Sequence, residues 1–120
     1  FLLSAVTYAN SAKINVLGVN PRTLETWGAV HEKTALEMAT GARRVAGSDW
    51  AISTTGIAGP GGGPTMKQVG TVCIGVAGPG GVAVSRKFEF KFDDRDKNKK
   101  IFAAMALEML RRYLTGEKSA

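Results

Sequence analysis

Val69-Gly70-Thr71-Val72-Cys73-Ile74-Gly75-Val76-Ala77, then Gly78-Pro79-Gly80-Gly81, then Val82-Ala83-Val84-Ser85-Arg86-Lys87-Phe88-Glu89-Phe90-Lys91-Phe92 spell strand, turn and strand in succession. In the first run Val72, Ile74 and Val76 share one face and Thr71, Cys73 and Gly75 the other, the period of two that a strand imposes. The Gly-Pro-Gly-Gly turn joins the runs as a hairpin. In the second run Phe88, Phe90 and Phe92 oppose Lys87, Glu89 and Lys91, so one face is apolar and the other wet.

Working outward, residues 97–114 carry Ile101, Phe102, Met105, Ala106, Met109, Leu110 and Tyr113 at helical spacing, a buried stripe for the closing helix. Upstream, residues 32–46 repeat that pattern through Ala35, Met38, Ala39, Ala42, Val45 and Ala46. Arg43 and Arg44 fall in the last turn, where cations suit the carbonyl end, and Gly47 stops the helix. His31 holds the capping position, although histidine is a poor cap. Residues 49–55 read as another strand and residues 2–8 as the first. Between them Asn10 caps a short helix over Ser11–Leu17 that Gly18 ends. Asn20, Pro21 and Gly28 then punctuate a second short helix, with Trp27 available to anchor it. Strands alternating with helices, plus one hairpin, predict an α/β fold: a layered α/β/α domain with a mixed sheet and a C-terminal β-hairpin. Residues 1–114 form one domain and 115–120 a frayed tail. The chain opens inside the first strand, so an N-terminal segment is expected to be missing.

The chain has 120 residues, 44% of them hydrophobic and 22% charged, an ordinary globular composition. No apolar run reaches the ~18 residues of a membrane span. A lone cysteine, Cys73, can make neither an internal disulfide nor a structural zinc site, which suggests the cytoplasm. The net charge of +6 invites a nucleic-acid reading, but the basic residues are scattered and interleave with no aromatic stripe. An anionic small molecule explains the excess equally well.

Ten of the 15 glycines lie between Gly56 and Gly81, and Ala-Gly-Pro-Gly-Gly occurs twice, at 58–62 and 77–81. The second copy is a hairpin turn. The first belongs to a longer loop running from Thr54-Thr55-Gly56 to Pro64-Thr65, of a length associated with function. It is not a P-loop, because Gln68 follows Lys67, and Pro64 and Met66 break any dinucleotide fingerprint. It could form a nest of backbone N–H groups for an anion, or be a plain flexible loop.

Tyr8 at a strand end and Lys13 in the next helix place a phenol and an ammonium together, and a lysine shielded from water can act as a base. The same pair also fits an ordinary strand end and an exposed helix. Arg95, within Asp93-Asp94-Arg95-Asp96, is either part of a solvated ion cluster or an anchor for a phosphate or oxyanion. A histidine-based triad would have to use His31, the sole histidine, which reads as a solvent-facing helix start. Cys73 reads as an inert small residue in a strand.

Val6-Thr7-Tyr8-Ala9-Asn10-Ser11-Ala12-Lys13, Leu17-Gly18-Val19, Gly28-Ala29-Val30, Thr55-Gly56-Ile57-Ala58-Gly59-Pro60-Gly61-Gly62-Gly63 and Val69-Gly70-Thr71-Val72 together resemble the CinA C-terminal domain family. Phe92-Asp93-Asp94-Arg95-Asp96 is similar to its Phe-x-Gly-Asp-Arg segment. The resemblance runs in order from Val6 to about Leu114. It implies an α/β layered fold and a metal-free, cofactor-free amidohydrolase that converts nicotinamide mononucleotide to nicotinic acid mononucleotide and ammonia. It also implies a catalytic set of Tyr8, Lys13, Thr55 and Arg95, with Asn10, Gly56, Gly59, Gly61 and Gly62 lining the substrate site. The implied partner is a phosphorylated nucleotide, with no membrane and no nucleic acid; a homo-oligomer stays open. The family's Ala-Glu-Ser-Cys-Thr-Gly-Gly segment, which carries the expected nucleophile, precedes the point where this chain begins. Gly63-Pro64-Thr65-Met66-Lys67-Gln68 departs from the usual Gly-Thr-Pro-Glu-Lys-Pro. Asp93 replaces a usual glycine and His31 a usual serine cap. The alternative is a non-catalytic nucleotide-binding or interaction module of a competence/damage-inducible protein.

Overall fold

The computed structural model describes residues 2–57, 69–90 and 94–116. Helices α1 (Asn10–Leu17), α2 (Pro21–Trp27) and α3 (Glu32–Ala46) come first. Strands β1 (Ala51–Gly56), β2 (Thr71–Gly78) and β3 (Val82–Glu89) follow, and α4 (Arg95–Leu114) closes the chain. The strands lie in the order β1-β2-β3.

β2 is the spine of the sheet. It pairs antiparallel with β1, Ile52 opposite Val76 and Thr54 opposite Ile74. On its other side Val84 faces Val76 and Phe88 faces Val72. The alternation in β2 separates two apolar faces rather than a dry and a wet one, because every residue from Thr71 to Gly78 is buried. One face meets α4: Val72, Ile74 and Val76 pack with Phe102, Ala106 and Met109. The other face meets α3. There the sheet offers small side chains, and the close approach depends on Gly75. A Cβ at that position would lie 2.7 Å from Ser53 Oγ and 2.8 Å from the Ala35 carbonyl carbon. Ser53 Oγ donates to the Ala35 carbonyl at 2.5 Å, fastening β1 to α3. The α/β/α layering expected from the sequence is therefore present.

The helix ends follow their punctuation. Gly18 and Gly47 take left-handed φ of 70° and 64° and stop α1 and α3. Asn20 caps α2, its side chain accepting from Arg22 N–H at 2.9 Å. His31 does cap α3: its Nδ1 accepts from Lys33 N–H at 3.0 Å. Asp94 caps α4 through Lys97 N–H at 3.2 Å.

Four expectations need correction. Residues 2–8 are not a strand. Their apolar pattern suits one, but a strand needs a ladder, and here Leu2, Leu3, Val6 and Tyr8 are exposed while the Thr7 carbonyl is taken by Lys13. Both strand pairings are accordingly antiparallel, so the mixed sheet has no parallel pair among the described residues. Asn10 is the first residue of α1 rather than its cap; Ala9 occupies that position without a side-chain bond. Finally, Trp27 and Val45 are about half exposed and anchor no core. Trp27 stacks on His31 instead.

Candidate functional site

Ile57 and Gly70, described residues close to the two ends of the first glycine loop, meet at one point. Ile57 N–H donates to Thr71 O at 2.8 Å, and Gly70 N–H donates back to Ile57 O at 2.7 Å. Phe90 N–H then donates to Gly70 O at 2.9 Å, tying the same point to the end of β3. This pinch holds Ile57, after the C-terminal end of β1, against Gly70 and Thr71 at the start of β2. Gly59, Gly61 and Gly62, and with them the choice between an anion nest and a plain loop, lie outside the described residues. Gly56 is described, and its missing side chain serves packing. A Cβ there would come within 2.9 Å of the Phe102 ring and 3.1 Å of Val72 Cα.

Thr55 precedes it with its side chain on the α3 face of the sheet. Its Oγ1 donates to the Ala29 carbonyl at 2.6 Å, and the residue is buried. The hydroxyl proton is thereby committed, so only lone pairs remain for a ligand. Nearby, Thr34 Oγ1 donates to the Gly28 carbonyl at 2.7 Å. Two adjacent carbonyls of the α2–α3 connection are thus held by two threonines, one from β1 and one from α3. Sequence reading singled out Thr55 and passed over Thr34 and the carbonyls, because an acceptor belonging to the backbone leaves no mark in residue identity.

Lys13 is 5% exposed although it sits on a short surface helix. Its Nζ donates to the Thr7 carbonyl, folding the preceding segment back over the side chain. Burial pushes its pKa below the ordinary lysine value of 10.5, because desolvation penalises the ammonium more than the amine. That is the direction a lysine base requires. Tyr8, between Thr7 and α1, is 80% exposed. Asn10 is exposed as well.

α1 packs on α3, and the fit depends on Gly41, where a Cβ would stand 2.7 Å from the Leu17 carbonyl carbon. Arg44, three residues further along α3, donates to the same Leu17 carbonyl at 3.3 Å. Lys13 and Thr55 therefore belong to the same side of the sheet, joined through α3. Arg95 opens α4, the helix on the opposite face, and is exposed. Lys13, on α1, and Thr55, on the α3 face of β1, thus stand in one layer, and Arg95 stands at the head of the other. A cleft of about 600 Å³ lies at the far end of the sheet, between Arg43, Asp49 and the turn at Gly78–Val82; none of Tyr8, Lys13, Thr55 and Arg95 lines it. Among the described residues no group of three or more His, Cys, Asp and Glu is placed to hold a metal ion. No described helix is long and apolar enough to cross a membrane.

The family model for the CinA C-terminal domain matches residues 1–114. The chain belongs to the CinA C-terminal domain family. It is 59% identical over 114 residues to a CinA-like protein of Desulfosudis oleivorans and 55% identical over 114 residues to one of Desulforapulum autotrophicum. Each match covers 95% of this chain and 27% of the relative, so the chain spans about a quarter of these relatives' length. The crystal structure of competence/damage inducible protein CihA from Agrobacterium tumefaciens superposes with a TM-score of 0.82 at 40% identity, covering 87% of this chain and 63% of that one. A competence-damaged protein (CinA) superfamily protein from Escherichia coli gives a TM-score of 0.83 at 34% identity, over 89% of this chain and 61% of that one.

Proposed function

We propose that this CinA-family domain is the base-bearing part of an amidohydrolase that deamidates nicotinamide mononucleotide to nicotinic acid mononucleotide and ammonia in the cytoplasm. The observation that carries the reading is the buried Lys13, whose ammonium is disfavoured by desolvation. A neutral lysine holds a lone pair that can take the proton of a hydroxyl nucleophile. The nucleophile's oxygen then bonds to the amide carbon, the protonated Lys13 returns its proton to the departing nitrogen, and ammonia leaves. Water, activated by the same amine, attacks the acyl carbon and frees the carboxylate and the nucleophile. Tyr8 orients the proton or relays it. The lone pairs of Thr55 suit an amide N–H better than an oxyanion, since its own proton goes to Ala29. Arg95 is the anchor for the phosphate, with glycine-loop N–H groups as the oxyanion donors. The nucleophile is the serine of the Ala-Glu-Ser-Cys-Thr-Gly-Gly segment, which is not among these 120 residues.

The test is ammonia release from nicotinamide mononucleotide by the chain carrying that segment at its N-terminus. Release that falls at least about a hundredfold in Lys13→Ala supports the reading; release no greater than that of Lys13→Ala rejects it. The departures at Pro64-Thr65-Met66 favour a second reading, a nucleotide-binding module without turnover. Calorimetric binding of the nucleotide by the same extended chain, without ammonia, would select it.

A further inference from the structure

A second cleft, of about 300 Å³, opens between α2 and the start of α3, with Arg22, Thr23, Trp27, Lys33 and Glu37 among its walls. Lys13 and Thr55 do not line it. Trp27 is 48% exposed here, a large apolar surface left facing water. The indole is nevertheless held. It stacks on the His31 ring with centroids 4.6 Å apart and planes inclined by 19°. His31 is fixed in turn, because its Nδ1 accepts from Lys33 N–H. That bond leaves the ring proton on Nε2 and sets the ring plane. An aromatic side chain held in this way loses little further freedom when a ligand arrives.

The charges in the cleft have a definite balance. Glu37 is the acid among these walls, and both of its oxygens are already taken. Oε1 accepts from Asn20 N–H at 2.8 Å and Oε2 from Thr23 Oγ1 at 2.6 Å. The carboxylate thus braces α2 against α3. Arg22 and Lys33 contribute only their backbone N–H groups to the caps, and both residues are exposed. Two cationic side chains and an indole lining one cleft suit a ligand that joins a flat ring to an anionic group.

We propose that this cleft is a binding site, distinct from the one around Lys13 and Thr55, for a nucleoside monophosphate, its base on Trp27 and its phosphate between Arg22 and Lys33. Ala29, whose carbonyl receives Thr55 Oγ1, lies two residues beyond Trp27. Occupancy therefore bears on the segment that positions Thr55, as an effector site would. The inference does not depend on the amidase reading, since binding is observed without turnover.

The chain contains two tryptophans, so labelling with 5-fluorotryptophan gives two fluorine resonances in an NMR spectrum, assigned through Trp27→Phe. Adenosine monophosphate, adenosine and inorganic phosphate are the probes. The monophosphate should shift the Trp27 resonance saturably and leave Trp50 in place. Adenosine should bind roughly tenfold more weakly, and phosphate alone should leave Trp27 unmoved. Charge reversal in R22E/K33E should weaken the monophosphate roughly tenfold or more. If the Trp50 resonance reports loss of the fold, the neutral pair R22Q/K33Q should weaken it by about threefold or more. An unmoved Trp27 resonance, parallel movement of both resonances, equal binding of adenosine, a Trp27 shift with phosphate alone, or undiminished binding by the variants would each overturn the proposal.

Discussion

Gly41→Ala separates two physical accounts of the same helix. Gly41 lies inside α3, where alanine is favoured over glycine by about 1 kcal/mol of intrinsic propensity. On that ground alone the substitution stabilises. The structure gives the opposite sign. The new Cβ would stand 2.7 Å from the Leu17 carbonyl carbon and 3.2 Å from Leu17 Cα. The Leu17 carbonyl oxygen is nearer still and overlaps the added methyl, so α1 must retreat by more than about 1 Å to restore ordinary contact. The obstacle is backbone, which cannot rotate aside. Overpacking costs about 1–3 kcal/mol; against an obstacle of backbone the upper part, about 2–3 kcal/mol, applies, and subtracting the propensity gain of about 1 kcal/mol leaves an expected net loss of about 1–2 kcal/mol. Lys13 rides on the displaced helix, and a misplacement near 1 Å can cost about a hundredfold in rate. Urea unfolding of Gly41→Ala beside Gly47→Ala measures the first effect. A side chain at Gly47 meets nothing within 4 Å, so that variant carries only the strain of its left-handed φ and leaves α1 in place. Ammonia release by the nucleophile-bearing chain measures the second effect. A Gly41→Ala protein as stable as the parent, with undiminished activity, would refute the packing of α1 on α3 described above.

Thr55→Val keeps the shape and removes the hydroxyl that holds Ala29; it should lower stability by about 1–2 kcal/mol, seen as a reduced denaturation midpoint at unchanged slope, with Thr55→Ser losing less. Lys13 has a folded pKa below its unfolded value of 10.5. The unfolded chain therefore holds the extra proton between those two values, and stability should rise with pH across that window. Lys13→Met should lack the rise in unfolding experiments run from neutral pH to pH 10.5. Glu108 has the reverse sign: hydrogen bonds from Arg111 and then Arg112 hold its carboxyl down to about 2, against 4.5 ordinarily. Its contribution should be complete above the ordinary value and disappear as pH falls through about 2. The acid limb of a Tm profile should be flatter in Glu108→Gln than in the parent.

The parts of the fold legible in the sequence were those with local causes. The hairpin from 71 to 89 follows from alternation and a glycyl turn, α4 from its apolar stripe, and the ends of α1, α2 and α3 from Gly18, Asn20 and Gly47. Residues 2–8 misled because an apolar run states only that a strand could form, and whether a ladder is available is a property of the whole sheet. Trp27 misled for a related reason: size suggests burial, yet the ring found His31 at the surface. At the candidate site, Lys13 was legible as a chemical type. Its burial was not, since that depends on the segment before it folding back so that the Thr7 carbonyl meets the ammonium. Nothing in the periodicity of residues 32–46 marked Gly41. Its reason is the backbone of α1, 24 residues away in the chain.

The carbonyls of Leu17, Gly28, Ala29 and Ala35 each receive a side-chain donor from another element or a neighbouring turn: Arg44, Thr34, Thr55 and Ser53. Every peptide unit brings an oxygen whatever residue it belongs to, whereas the donor must be a particular side chain. Saturation mutagenesis should therefore be lopsided, with the four donors resisting replacement and the four acceptor positions yielding wherever volume and backbone angles permit. The stitching of this domain would be recorded on one side of each seam only.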